Sequence, residues 1–181
     1  VFMETRIRTL ATISAAHFSA HLDEVRLNSG LHKTRIRMDH PLAAAVIPLL
    51  DDNHVVMVKQ FRYAIGRETL EIPAGKVDPG EASLACAHRE LLEETGYEAG
   101  SMERMYSFFP AIGYSNEVID IYVARRLKKI REQVDETEIS RVEVFPWETV
   151  RRMAAEEVIQ DSKTVLAIGL MAGCLKPDRN R

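Results

Sequence analysis

Four charged side chains fall within two turns of one helical stretch: Arg89, Glu90, Glu93 and Glu94. At 3.6 residues per turn, Glu90 and Glu94 share a face, and Glu93, three residues from Glu90, lies beside them. Three carboxylates gathered this way repel one another by about a few tenths of a kcal/mol per pair on an exposed helix, and by more where partly buried, unless a counter-charge is present. A divalent cation is the natural counter-charge. All-oxygen ligands favour Mg2+ or Mn2+ over Zn2+, and Mg2+ usually takes one or two carboxylates and completes its shell with water and substrate phosphate. The chemistry predicted is attack on a pyrophosphate or phosphate ester. The bland alternative is a solvated, charged helix face.

Such side chains need a helix and a preceding loop to aim them. Asp78-Pro79-Gly80 reads as that loop, a helix begins near Glu81, nothing breaks it over residues 82–95, and Gly96 suits the position just past its C-terminus. Leu84, Leu91 and Leu92 stand at helical spacing as its apolar contacts. Upstream, residues 25–38 alternate around Asn28-Ser29-Gly30 and predict an N-terminal hairpin. Residues 43–50 and 55–61 predict buried strands joined by a hairpin loop at Asp51-Asp52-Asn53-His54, and Leu70-Glu71-Ile72 predicts a short strand ended by Pro73. Downstream, 102–109, 118–124 and 142–145 read as strands, and 147–157 and 162–175 as closing helices. Strands on both sides of a central helix predict an α/β fold with a mixed sheet between helices.

A length of 181 residues, 46% hydrophobic and 28% charged, suits one globular domain with a small appendage and gives no reason to expect disorder. Lys and Arg number 24 against 27 Asp and Glu, a net charge of -3, so no general electrostatic pull toward nucleic acid or an anionic membrane is expected. Only two cysteines, Cys86 and Cys174, fit a reducing, cytoplasmic setting, and no apolar run approaches a membrane span. The start, Val1-Phe2-Met3-Glu4, is followed by no signal-peptide core, reads as a processed or truncated end, and carries no structural weight over residues 1–4.

Gly75, five residues, Glu81, seven residues, Arg89-Glu90-Leu91, one residue, Glu93-Glu94, one residue and Gly96-Tyr97 resemble a complete Nudix box. The resemblance implies a Nudix α/β/α sandwich with a mixed sheet and an N-terminal β-hairpin extension, with residues 1–40 as the extension and 41–181 as the hydrolase domain. It also implies metal-dependent hydrolysis of a nucleoside diphosphate linked to another moiety. Glu90 and Glu94 would be the main metal ligands, Glu93 would ligate a further metal, and the Ala74 carbonyl would complete the first site. Arg89 would pair with Glu81 or a helix carboxylate, and with Gly75 and Gly96 these residues would hold the motif in shape.

The flanks, Val58-Lys59-Gln60-Phe61-Arg62-Tyr63, Glu68 through Lys76, and Pro110 with Gly113-Tyr114-Ser115-Asn116-Glu117, resemble ADP-ribose pyrophosphatases. By that likeness the reaction is cleavage of ADP-ribose to AMP and ribose 5-phosphate with Mg2+, or Mn2+. Arg62 would contact the diphosphate or terminal ribose, Glu71 would help position substrate, and Glu136, then Glu138, would be the general base. A homodimer built through 25–38 is also implied. Another nucleoside diphosphate derivative (a nucleotide sugar, NADH, FAD) and a non-catalytic ADP-ribose sensor are the rival readings. Ala111-Ile112 separates Pro110 from Gly113 where the family commonly reads Ser-Pro-Gly-Tyr/Phe, which bears on substrate choice rather than on reaction type.

Simpler roles stand beside these. Arg62 could form a surface ion pair, and Glu136 and Glu138 could belong to a solvated acidic loop. His17 and His21 stand four apart but lack a third ligand nearby and read as structural. Of Tyr63, Phe108, Phe109 and Tyr114, at most one stacks on adenine, because strand aromatics usually serve the core. Cys86 reads as a small packing residue.

Overall fold

The computed structural model describes residues 3–131 and 139–173. The chain divides into two compact units, Val1–Leu42 with Phe108–Val118, and Ala43–Ser107 with Ile119–Arg181.

The first unit contains strands β1 (Glu4–Ser14), β2 (Ser19–Leu27) and β3 (His32–Asp39), in an antiparallel sheet of order β1-β2-β3. The expected hairpin is present, with Gly30 supplying the positive φ of +84° at its turn. It is one half of a longer meander. β1 corrects the expectation for residues 1–4 at Glu4, which is paired with Leu27 and whose carboxylate accepts from Arg35 Nε at 2.9 Å. Every residue of β1 is exposed, so the strand carries no burial pattern from which to read it. Cross-strand pairs such as Thr9 Oγ1 to Asp23 at 2.6 Å and Arg8 Nε to Glu24 at 2.7 Å tie it to β2. The segment 108–118 joins this unit through Met38 N–H to the Tyr114 carbonyl at 2.7 Å and His40 N–H to Asn116 Oδ1 at 2.8 Å.

In the second unit, β4 (Ala43–Pro48) is buried at all six residues, as a small-and-branched run covered on both faces must be. It pairs antiparallel with β7 (Ala74–Lys76) and parallel with β9 (Ile119–Lys129), giving a sheet of order β7-β4-β9-β8, where β8 is Tyr97–Phe108. A second sheet has the order β10-β5-β6, from β10 (Ile139–Pro146), β5 (His54–Arg62) and β6 (Arg67–Glu71). The hairpin expected between residues 43–50 and 55–61 shrinks to one bridge, Leu49 with Val55. The reason is that both edges of β4 are already taken, by β7 and β9, so β5 must leave for the other sheet.

Helix α1 (Ser83–Thr95) lays Cys86, Ala87 and Leu91 on Ala44 and Val46 of β4 and Tyr122 and Ala124 of β9. Small residues at 86 and 87 let the helix lie close on the sheet. Leu84 is not the contact its spacing suggested: it is 44% exposed, because the buried arc runs through 86, 87, 90, 91, 94 and 95. Helix α2 (Trp147–Ala155) packs on β10, and α3 (Ser162–Met171), which buries Ala167 and Ile168, packs on β4 and β9. The fold class is therefore the expected one, α/β with a mixed sheet. Helix α2 stops at Ala155, before the expected 157, where Glu157 takes a left-handed φ of +59°.

Candidate active site

Arg89 is the hub of the loop and helix that carry the carboxylates. Its Nε and Nη2 donate to Glu81 at 3.0 and 2.9 Å, Nη2 also donates to the Lys76 carbonyl at 3.1 Å, and Nη1 donates to Glu90 at 2.5 Å and Glu93 at 3.1 Å. One guanidinium thus ties the loop at 76–81 to the helix, and it pairs with Glu81 and with helix carboxylates together. The Arg89 fork and the Asp78 N–H pull Glu81 down to about 2. At the far end Gly96, with φ +74°, caps α1 through its N–H to the Leu92 carbonyl; a Cβ there would lie 2.2 Å from the Arg131 carbonyl oxygen.

Glu90 and Glu94, one turn apart, form a buried carboxylate pair. Burial, then Glu90's like charge, pushes Glu94 up to about 8, against the opposing pull of the Ala74 N–H at 3.0 Å. Burial likewise raises Glu90 above the usual carboxylate range despite its bond to Arg89. Gly75 passes directly over Glu90: a Cβ at this position would sit 1.9 Å from Oε1, so only glycine lets the loop approach. Glu93 is set differently, with nearly half of its side chain exposed and turned to Arg89.

The sequence predicts three converging carboxylates, whereas Glu90 and Glu93 meet through one Arg89 nitrogen. Among the described residues no group of three His, Cys, Asp or Glu side chains stands ready to hold a metal ion. The donor chemistry nevertheless fits a hard divalent cation. The donors are carboxylate oxygens, and burial disfavours the charged form of both Glu90 and Glu94, a penalty that a cation reverses. Ala74, expected to offer its carbonyl, touches Glu94 through its N–H.

A second cluster gathers on β5, β6 and the start of α3. Arg62 Nε and Nη2 form a bidentate fork on Glu71 at 2.7 and 2.5 Å, and Lys163 Nζ and Thr69 Oγ1 donate to the same carboxylate. Burial alone would raise Glu71, but the Arg62 fork, the Lys163 charge and the Thr69 hydroxyl outweigh it and bring the group to about 2. Arg62 is therefore more than a surface ion pair. Glu71, 2% exposed, has its oxygens committed to these partners, so its influence on a ligand runs through Arg62. Lys163, Asp161 and Thr69 escaped sequence reasoning. The available signal was Asp161 before an apolar helix, an N-cap pattern that locates the helix start but not the burial of the lysine two residues on.

Tyr114 belongs to the first unit, with its side chain exposed; Tyr63 and Phe109 are exposed as well, so none of these three serves a core. His21 bonds Thr12 and faces Asp39, and Cys86 is buried beside the Gly75 and Lys76 carbonyls, its thiol pushed by burial to about 12. Glu136 and Glu138 lie outside the described residues. A concavity among β5, β6, β10 and α2, lined by Lys59, Arg67, Leu70, Phe145 and Met153, contains none of the motif carboxylates. No described helix is long and apolar enough to cross a membrane.

The NUDIX domain family model matches residues 39–167. The chain is similar to the methanol dehydrogenase activator of Bacillus methanolicus, 37% identical over 170 residues that span 93% of this chain and 92% of that protein. It is similar also to an ADP-ribose pyrophosphatase of Bacillus subtilis (strain 168), 34% identical over 150 residues, 82% of this chain and 81% of the other. The crystal structure of an ADP compounds hydrolase superposes with a TM-score of 0.82 over 95% of this chain and 94% of that one, at 22% identity, and shares the fold.

Proposed function

This chain belongs to the Nudix family and is a hydrolase of that kind, and from that premise we propose that it cleaves the pyrophosphate bond of ADP-ribose to AMP and ribose 5-phosphate. Nudix hydrolases use divalent metal ions, and Mg2+, with Mn2+ as substitute, is the ion proposed here. The observation that carries the reading is the buried Glu90–Glu94 pair beneath Gly75, within a complete set of motif positions.

Glu90 and Glu94, with the Ala74 carbonyl and Glu93 for a further ion, are the residues that would hold the metal. When bound, a divalent cation supplies Lewis-acid polarisation of phosphoryl oxygens and a more acidic water. Arg89 and Glu81 hold the 76–81 loop against the helix that carries the two buried carboxylates. Arg62 binds the diphosphate through the guanidinium edge outside its Glu71 fork. Tyr114 is the aromatic candidate for adenine. Glu136 takes the proton from the attacking water, with Glu138 the alternative; Glu136→Gln is expected to lower turnover by about 10²-fold or more while leaving Mg2+ binding by calorimetry unchanged. If Glu138→Gln alone does this, Glu138 is the base.

Residues 1–40 serve as a dimerisation extension to the hydrolase domain at 41–181 in this reading. An exposed β1 carrying Ile7, Leu10 and Ile13 supports a homodimer, and the buried free thiol of Cys86 supports a cytoplasmic setting. The test is a panel of ADP-ribose, ADP-glucose, GDP-mannose, NADH, FAD and nucleoside triphosphates, with Mg2+ or EDTA. ADP-ribose turning over fastest and EDTA abolishing it is the expected result; a faster competitor transfers the assignment to that compound, with the 110–113 loop as the first suspect. The similarity to a methanol dehydrogenase activator favours one second reading, nucleotide binding that regulates a partner enzyme. Calorimetric binding of ADP-ribose without turnover would select it.

A further inference from the structure

Lys163 is 6% exposed, on the first turn of α3, and its ammonium is held between two carboxylates, Glu71 and, at 3.0 Å, Asp161. A lysine buried to this degree loses hydration and side-chain freedom, a cost that a helix-surface position would avoid. Its place is fixed twice over. Asp161 caps α3 by accepting from Thr164 N–H at 3.0 Å and from Thr164 Oγ1 at 2.5 Å, and Thr164 Oγ1 accepts the Ile72 N–H at 3.0 Å. Ile72 follows Glu71 directly, so the start of α3 is stitched to the end of β6 at the point where Lys163 meets Glu71.

Glu71 in turn is the residue that orients Arg62. The fork uses Nε and Nη2, which sets the guanidinium plane and leaves Nη1 outside the fork. Alone on a buried carboxylate, Arg62 would have its charge largely cancelled. With Lys163 on the same carboxylate and Asp161 behind it, the four groups carry two positive and two negative charges, whereas without the lysine the cluster is net negative and repels an anion. Three residues after Glu71, Ala74 donates its N–H to Glu94 at 3.0 Å, which ties the strand end carrying this cluster to the motif carboxylates.

We propose that Lys163 is a positioning residue for diphosphate binding: through the Glu71 carboxylate that it shares with Arg62, it fixes the orientation and preserves the positive charge of the Arg62 guanidinium. The proposal deepens the pyrophosphatase reading and rests on it for the ligand, a diphosphate.

The test is a double-mutant cycle read on binding of inorganic pyrophosphate, with excess Mg2+, by titration calorimetry, which requires no turnover. Lys163→Met is expected to weaken binding about tenfold, and to raise KM for the best substrate by a similar factor while kcat stays within about twofold. In an Arg62→Met background the same substitution should weaken binding no further. A Lys163→Met protein that melts at lower temperature yet binds as the wild type does would overturn the proposal. So would an undiminished loss in the Arg62→Met background. Where Lys163→Met does not fold, the double variant Glu71→Gln/Lys163→Met, which removes both partners of the buried Glu71–Lys163 pair, is compared with Glu71→Gln: equal binding supports the route through Glu71, and a further loss overturns it. Wild-type protein that binds pyrophosphate but hydrolyses nothing in the panel overturns the pyrophosphatase reading and leaves this inference standing; failure to bind pyrophosphate overturns the inference.

Discussion

Glu71 and Glu94 are both buried, 2% and 7% exposed, in the same unit of the protein, yet their surroundings bring one down to about 2 and push the other up to about 8. Burial pushes both upward. What separates them is company: Glu71 accepts from Arg62, Lys163 and Thr69, whereas Glu94 has the Ala74 N–H and the like charge of Glu90 a turn away. The first is a finished ion cluster that organises β5, β6 and α3. The second keeps a charge deficit at the place where the motif puts its chemistry, and a carboxylate held that way is suited to a cation rather than to the fold.

That contrast breaks first at Glu94. Glu94→Gln is expected to lower turnover by about a thousandfold, or ~4 kcal/mol, with a melting temperature at least equal to the wild type, and the rise in melting temperature that Mg2+ gives the wild type should vanish. Wild-type turnover in this variant would remove Glu94 from the metal site. The reverse pattern is expected at Glu71. Glu71→Gln leaves Arg62 facing a buried amide and Lys163 with Asp161 alone, and should cost about 3–5 kcal/mol in urea unfolding; adding Lys163→Met should recover part of the loss.

Acid sharpens the comparison further. Glu71 has a folded value of about 2 against an ordinary 4.5. Its contribution is thus complete above pH 4.5 and is lost as pH falls toward 2, a decline of about 3 kcal/mol. Stability measured from pH 5 to pH 2 should show this slope in the wild type and lose it in Glu71→Gln; an unchanged slope would mean that the cluster does not hold Glu71 ionised. The smallest effect is expected on the outer face of α1. Leu84 is exposed, so Leu84→Ala should change stability by less than about 0.5 kcal/mol, and a larger loss would contradict the buried arc assigned to that helix.

The legible parts of the protein were those written in contiguous sequence. Arg89, Glu90, Glu93 and Glu94 could be placed on a common helical arc because the α-helical repeat needs no tertiary information. Leu84 was misplaced by the same repeat, since the buried arc of α1 is half polar, through Glu90, Glu94 and Thr95, and its apolar members are as small as Cys86 and Ala87. β1 left no burial pattern, being exposed throughout, and β4 gave no warning that β7 and β9 would occupy both of its edges and send β5 to another sheet.

The amino-acid order by itself therefore determined the α/β class, the loop and helix that carry the carboxylates, and the family, because each depends on spacing within a few turns of chain. Tertiary structure alone decided which of those carboxylates are buried, that Arg89 stands between Glu90 and Glu93, and that a lysine 92 residues from Glu71 shares its charge with Arg62. The physical reason is that burial and charge pairing depend on distances across the packed fold, between groups whose separation along the chain carries no record of their contact.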